Sequence, residues 1–86
     1  MKSVFISKNG GPEVLELKEI KLDNPKSGEV LIKNKAIGLN YIDTYHRSGL
    51  YPVQLPSTIG IEGAGIVEKT GPKVENFKIG DRVAYA

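Results

Sequence analysis

The sequence predicts a mainly β fold with a single short helix, and three observations support this prediction. Val, Ile and Thr contribute 19 of the 86 residues against 12 from Leu, Ala and Met, and β-branched side chains favour strands. Glycine and proline add another 15 residues, which supply the turns that short strands require. Short apolar–polar alternations recur along the chain, whereas a helical pattern occurs once. The length predicts one small domain or part of one.

The first half of the chain contains three predicted strands separated by turn residues. Apolar and polar residues alternate over 2–8 apart from Phe5, and alternate imperfectly over 14–22. A third strand is predicted over 29–38, where apolar residues are offset from Lys33, Asn34 and Lys35. The clusters at 9–12 and 23–28 are rich in Asn, Gly, Pro and other residues that favour turns. We therefore expect the first two strands to pair as a hairpin with a longer loop and with charged residues on its outer face.

One helix is predicted over residues 40–48. Asn40 is a suitable N-cap, because its side chain can accept a hydrogen bond from the first amides of a helix. Asp43 falls in the first turn three residues later, and Gly49 follows as the residue that ends the helix in a left-handed conformation. The residues expected on the apolar side of the helix are Ile42, Tyr45 and Tyr41.

The second half of the chain is predicted to contain an extended loop and two more strands. Two prolines within 51–57 disfavour helix in the residues before them. A strand is predicted over 59–69, where glycines indicate a bulge or the close approach of another backbone. These glycines are Gly60, Gly63 and Gly65. After a turn at 77–81, the final strand at 82–86 stops within an alternating pattern, so we expect a domain truncated at its C-terminus.

Composition excludes several classes of function. The chain has no cysteine and one histidine, so we predict no disulfide and no metal site of the Cys or multiple-His type. No apolar stretch approaches membrane-spanning length and no secretory signal is present, which predicts a cytoplasmic protein without a membrane span. A net charge of +2 is too small to indicate a polyanionic partner, so we expect no nucleic acid to bind.

Segment 38–52 concentrates the side chains that could carry chemistry. It holds three of the four tyrosines, the histidine and one of the two arginines. Polar aromatic side chains at this density can line a pocket for a planar ligand. A purely structural role can also explain these residues. The tyrosines would then pack against the end of a barrel, and Asn40 and Asp43 would cap the helix. Composition leaves both explanations open.

Two features of the later strand are interpreted as structural. Glu62 lies among apolar and small residues, so we expect it to be partly buried with a partner. The glycine pattern at 60–65 does not match the dinucleotide-binding pattern G-x-G-x-x-G, because the residues after it continue a strand and do not open a helix.

Three blocks occur in order along most of the chain, AIGLNYIDTYHRSGLYP, PSTIGIEGAGIVEKTG and FKIGDRVAYA. They closely resemble the quinone oxidoreductases, the zeta-crystallin-like and zinc-free branch of the medium-chain dehydrogenase/reductase superfamily. The resemblance implies a GroES-like, partly open β-barrel with one short helix. Residues 1–86 would form part of its catalytic, substrate-side domain, without the Rossmann domain that holds NADPH in this family.

The resemblance also implies which residues face the catalytic cleft. The implied catalytic residues, beside the nicotinamide and the quinone, are Asn40, Tyr45 and Tyr51. The implied cofactor-binding residues are Asn40, Asp43, Tyr45 and Arg47. In zinc-dependent relatives the positions of Asn40 and Ile61 hold a metal-binding cysteine and histidine, so the resemblance implies zinc-independent chemistry here.

We therefore expect the N-terminal part of an NADPH-dependent quinone oxidoreductase, which transfers hydride to a quinone-type small molecule. Because the cofactor domain is missing, this chain alone is expected to bind NADPH weakly or not at all and to be inactive. Members of the family are commonly homodimers. The alternative is a stand-alone GroES-like binding or assembly module without catalysis.

Overall fold

The computed structural model describes all 86 residues and consists mainly of strands with one short helix, as predicted. The elements in chain order are β1 (Lys2–Ile6), a 3₁₀ turn (Pro12–Val14), β2 (Leu15–Glu19), β3 (Val30–Ile37), α1 (Tyr41–Ser48), β4 (Ser57–Thr58), β5 (Gly63–Thr70) and β6 (Arg82–Tyr85). They fall into two compact units. The first comprises Met1–Leu22 and Leu39–Ile61, and the second Asp23–Gly38 and Glu62–Ala86. The helix is too short to cross a membrane.

The first unit contains an antiparallel sheet in the order β2-β1-β4. β1 and β2 form the predicted hairpin, in which Val4 lies opposite Leu17. Pro12 opens the 3₁₀ turn in the hairpin loop, where its fixed φ suits the first helical position. The core of this unit consists of the buried side chains of Ile6 and Val14.

β4 lies where the sequence predicted only an extended loop. Ser57 and Thr58 pair with Ile6 and Phe5 along the second edge of β1. The prediction was therefore wrong at the end of segment 51–57. Two residues of strand are too few to produce a period that sequence alone can reveal.

The second unit is an antiparallel sheet in the order β3-β5-β6, and Val67 of the central strand is fully buried. The predicted close approach is confirmed at Gly65, where a Cβ atom would collide with the backbone carbonyl of Lys33. The register between β3 and β5 shifts between Asn34 and Ala36, which confirms the predicted bulge. Neither three-stranded sheet closes on itself.

β5 starts four residues later than the predicted strand at 59–69. Gly60 has a φ of 118°, a conformation that side-chain-bearing residues rarely adopt, so the backbone leaves the extended region there. The other predicted strands of this unit, at 29–38 and 82–86, are confirmed to within one residue as β3 and β6.

Candidate functional site

Helix α1 begins with a capping box between Asn40 and Asp43. The Asn40 side chain accepts a hydrogen bond from the backbone of Asp43, and the Asn40 N–H donates to Asp43 Oδ2 over 2.9 Å. This confirms the predicted N-cap and satisfies amides that have no partner within a helix. The Asp43 side chain is only 4% exposed, and its Oδ1 atom is buried without a hydrogen-bond partner. Asp43 therefore holds the start of the helix from inside the first unit.

The helix ends at Gly49, as predicted, with a φ of 92°. The Gly49 N–H donates to the carbonyl oxygen of Tyr45 over 3.0 Å, and the Tyr51 N–H donates to the same oxygen over 3.3 Å. Glycine adopts this left-handed conformation without the steric cost that a Cβ would add. The chain thus reverses direction after the helix and brings Tyr51 back beside Tyr45.

The side chains of Tyr45 and Tyr51 form an edge-to-face pair. Their ring centroids are 5.3 Å apart and the ring planes meet at 75°, a geometry that aromatic quadrupoles favour. Tyr45 is half-buried on the helix, whereas Tyr51 is 51% exposed in the following loop. Neither hydroxyl makes a hydrogen bond within the chain. The pair therefore presents aromatic surface and two uncommitted O–H groups.

The hairpin loop of the first unit also contacts the end of helix α1, which sequence analysis missed. Arg47 Nε donates to the carbonyl oxygen of Gly10 over 3.2 Å, and the Gly10 N–H donates to the carbonyl oxygen of Arg47 over 3.0 Å. Asn9 Nδ2 donates to the same helix end. Residues 9–12 predicted a turn but gave no indication of this contact, because partners 37 residues apart in the chain leave no local sequence pattern.

The residues predicted to form the apolar side of helix α1 differ in their burial. Ile42 and Tyr45 are half-buried, as predicted for the apolar side of the helix. Tyr41 is 83% exposed, so the prediction that it shares this side was wrong. Side chains of a helix lean toward its N-terminus, and Tyr41 is the first helical residue, so no preceding helical turn lies beside it. His46 is half-buried, and its backbone carbonyl accepts a hydrogen bond from Asn9 Nδ2.

Glu62 belongs to the second unit and is exposed, so the predicted partial burial was wrong. Its carboxylate lies against Gly38, so a Cβ atom there would require the Glu62 side chain to shift. Beside it, an apolar concavity of about 370 Å³ lies at one end of the sheet. Asn34 Nδ2 donates to the Tyr85 hydroxyl at its rim over 2.8 Å.

The side chains of the chain do not assemble a metal-binding cluster. No three His, Asp or Glu residues come together in a way that could hold a metal ion. Asn40 is engaged in the capping box, and Ile61 is a partly exposed apolar residue.

Known proteins resemble this chain over nearly its whole length. The family described as alcohol dehydrogenase GroES-like domain matches residues 26–86. The quinone oxidoreductase of Pseudomonas aeruginosa is 56% identical over 86 residues, which are 99% of this chain and 26% of that protein. The 2-haloacrylate reductase of a Burkholderia species is 43% identical over 85 residues, which are 94% of this chain and 26% of that protein. The chain spans about a quarter of the length of these curated relatives.

A solved structure shows the same fold. The Escherichia coli quinone oxidoreductase complexed with NADPH matches all of this chain and 27% of its own, with a TM-score of 0.97 and 52% sequence identity. The GroES-like fold of medium-chain dehydrogenases and reductases and the resemblance to their quinone oxidoreductases are thereby confirmed.

Proposed function

The chain belongs to the alcohol dehydrogenase GroES-like domain family, and we propose that it forms the acceptor side of the catalytic cleft of an NADPH-dependent quinone oxidoreductase. Identity of 56% to a quinone oxidoreductase over the whole chain supports this reaction class. The observation that carries the proposal is the edge-to-face pair of Tyr45 and Tyr51, whose hydroxyls have no partner within the chain. A pair of this kind suits a flat acceptor with carbonyl oxygens at its edge.

The two tyrosines stabilise the charge that develops on the acceptor. When a quinone accepts a hydride, negative charge grows on a carbonyl oxygen, and an O–H donor directed at that oxygen lowers the barrier. A proton then neutralises the oxygen, so that quinone, hydride and proton together give the hydroquinone. Tyr45 lies on helix α1 and Tyr51 lies in the loop after it, so two different segments of the backbone position the two hydroxyl donors.

The residues at the helix start fit the nicotinamide end of NADPH but not its phosphates. Asp43 places a carboxylate in the first turn of α1, and the capping box engages the amides that would otherwise bind an anion. Asn40 and Tyr45 are the residues proposed to hold the nicotinamide, which supplies the hydride when NADPH is bound. Because the Asp43 side chain is buried, its role is to hold Asn40 in position through the hydrogen bond from the Asn40 N–H. Arg47 keeps the helix end in place through Nε and can extend its outer nitrogens to the cofactor.

The proposed reaction requires no zinc. Quinones are electrophilic without a Lewis acid, and Asn40 and Ile61 offer no metal ligand pair. We expect metal analysis of the purified protein to find no stoichiometric zinc. One zinc ion per chain, released only by a chelator, would contradict this part of the proposal.

The decisive experiment compares the chain alone with a fusion that adds the remaining residues of the Pseudomonas aeruginosa relative after Ala86. We expect no quinone-dependent NADPH oxidation by the 86-residue chain, because pyrophosphate contacts at a Rossmann helix supply most of the cofactor affinity. The fusion is expected to be active. In the fusion, Tyr45→Phe and Tyr51→Phe should each lower kcat or raise the KM for the quinone.

Lys18→Ala is the matched control, because Lys18 lies on β2 with its ammonium over the ring of Phe5, away from the Tyr45–Tyr51 pair. This change should alter neither kcat nor KM. Quinone reduction by the 86-residue chain alone would overturn the proposal. An inactive fusion together with stable self-association of the chain would favour the binding or assembly module instead.

A further inference from the structure

The side chain of Asn9 caps the C-terminal end of helix α1 from outside the helix. Asn9 Nδ2 donates to the carbonyl oxygens of His46 and Arg47, over 3.2 Å and 3.3 Å. Carbonyls in the last turn of a helix have no partner within it, and the helix dipole makes this end partly negative. The Asn9 side-chain N–H groups supply partners for these carbonyls and place the positive end of an amide dipole at the negative end of the helix.

Two further contacts join the same loop to the same helix end. Gly10 and Arg47 exchange two hydrogen bonds, one from the Gly10 N–H and one from Arg47 Nε. The Asn9 side chain also lies over Gly49, where a Cβ atom would come within 3.1 Å of Asn9 Cγ. Asn9 therefore occupies the outer side of the residue at which the chain reverses.

We propose that Asn9 is a positioning residue for the Tyr45–Tyr51 ring pair, an inference that rests on the proposed function for its catalytic meaning. Tyr51 follows the Gly49 reversal by two residues, and its N–H bonds to the same Tyr45 carbonyl as the Gly49 N–H. Any loosening at Gly49 is transmitted to the angle at which the Tyr51 ring meets Tyr45. Asn9 restricts this movement because its side chain both binds the last turn of the helix and covers Gly49.

The Asn9→Asp variant tests the inference. It keeps the shape of the side chain, removes the donor and directs a carboxylate at two helix carbonyls. We expect the nuclear Overhauser effects between the Tyr45 and Tyr51 rings to be lost. The amides of Gly10, Gly49 and Tyr51 should exchange about fivefold faster, as expected when one hydrogen bond is lost locally. Asn9→Ala removes the donor without adding a charge and should show the same changes to a smaller extent.

Asn24→Asp is the matched control in the second unit. Asn24 accepts a hydrogen bond from Lys69 Nζ through its oxygen, which aspartate retains, so this variant should leave the ring pair and all amide exchange unchanged. Asn9→His, which keeps an N–H donor able to reach the last carbonyls, should restore the inter-ring signals.

Three results would overturn the inference. These are unchanged inter-ring signals in both Asn9→Asp and Asn9→Ala, exchange that accelerates equally in the two units, and failure of Asn9→His to restore the signals. None of these measurements requires cofactor or acceptor, so they do not depend on the proposed reaction. If Asn9→Asp disturbs the rings but Tyr45→Phe and Tyr51→Phe leave the active fusion unaffected, the positioning role stands and the proposed function fails.

Discussion

The two units of this chain differ in the contacts that restrict their most constrained backbone positions. In the first unit, polar side chains bind backbone atoms at both ends of α1, through Asn40, Asp43 and Asn9. In the second unit, backbone segments approach so closely that no side chain would fit between them, as between the strands at Gly65 and beside the turn at Gly71. Side-chain bonds can be exchanged or weakened singly, whereas a backbone contact leaves no space for adjustment. The candidate site lies on and after helix α1, whose ends are bound by side chains, so single substitutions can change its geometry gradually.

The largest effect is expected from Gly65→Ala. The added Cβ would collide with the carbonyl group of Lys33 on the adjacent strand, and backbone cannot move aside as a side chain can. We expect a loss of about 3 kcal/mol in the free energy of unfolding, at the upper end of overpacking costs, measured by urea denaturation. Gly28→Ala is the control, because Gly28 has a φ of 78° but no atom near its Cβ position, and it should cost about 1 kcal/mol. Equal losses in the two variants would show that close approach is not what distinguishes the second unit.

An intermediate effect is expected from Asn40→Ala at the start of α1. Loss of the capping side chain should lower the free energy of unfolding by about 1 kcal/mol, which a shift of the denaturant midpoint will show. Asn40→Ser retains an N-cap oxygen and should remain close to the wild type. If Asn40→Ala leaves the midpoint unchanged, side-chain capping does not hold the first unit and the contrast between the units fails.

The smallest effect is expected from Lys18→Ala on the exposed face of the hairpin. The Lys18 ammonium lies 5.3 Å from the centroid of the Phe5 ring, and such exposed cation–π contacts contribute about 0.5 kcal/mol. A calorimetric change larger than that of Asn40→Ala would mean that surface contacts, and not the helix cap, dominate the stability of the first unit.

Helix α1 and its caps were predictable because their determinants lie within ten residues of sequence. The N-cap, the acidic residue three positions later and the terminal glycine act on their own backbone neighbourhood. The same holds for the β1–β2 hairpin, whose alternation and turn residues are local. Asn40, Tyr45 and Tyr51 entered the candidate site through family resemblance, and their geometry became available only from the structure.

Local sequence pattern was enough to predict the mainly β fold, the position of the helix and the close approach of backbone at Gly65, because each depends on local backbone preference and on the alternation of side chains. The same prediction was wrong at Gly60, which has open space around its Cβ position. Tertiary structure decided that β4 pairs with β1, that Tyr41 faces solvent and that Tyr51 returns to Tyr45. It also decided that Asn9 meets the helix end 37 residues away. Contacts of this kind depend on which surfaces the folded chain brings together, and a turn residue such as Asn9 shows no local sign of its distant partner.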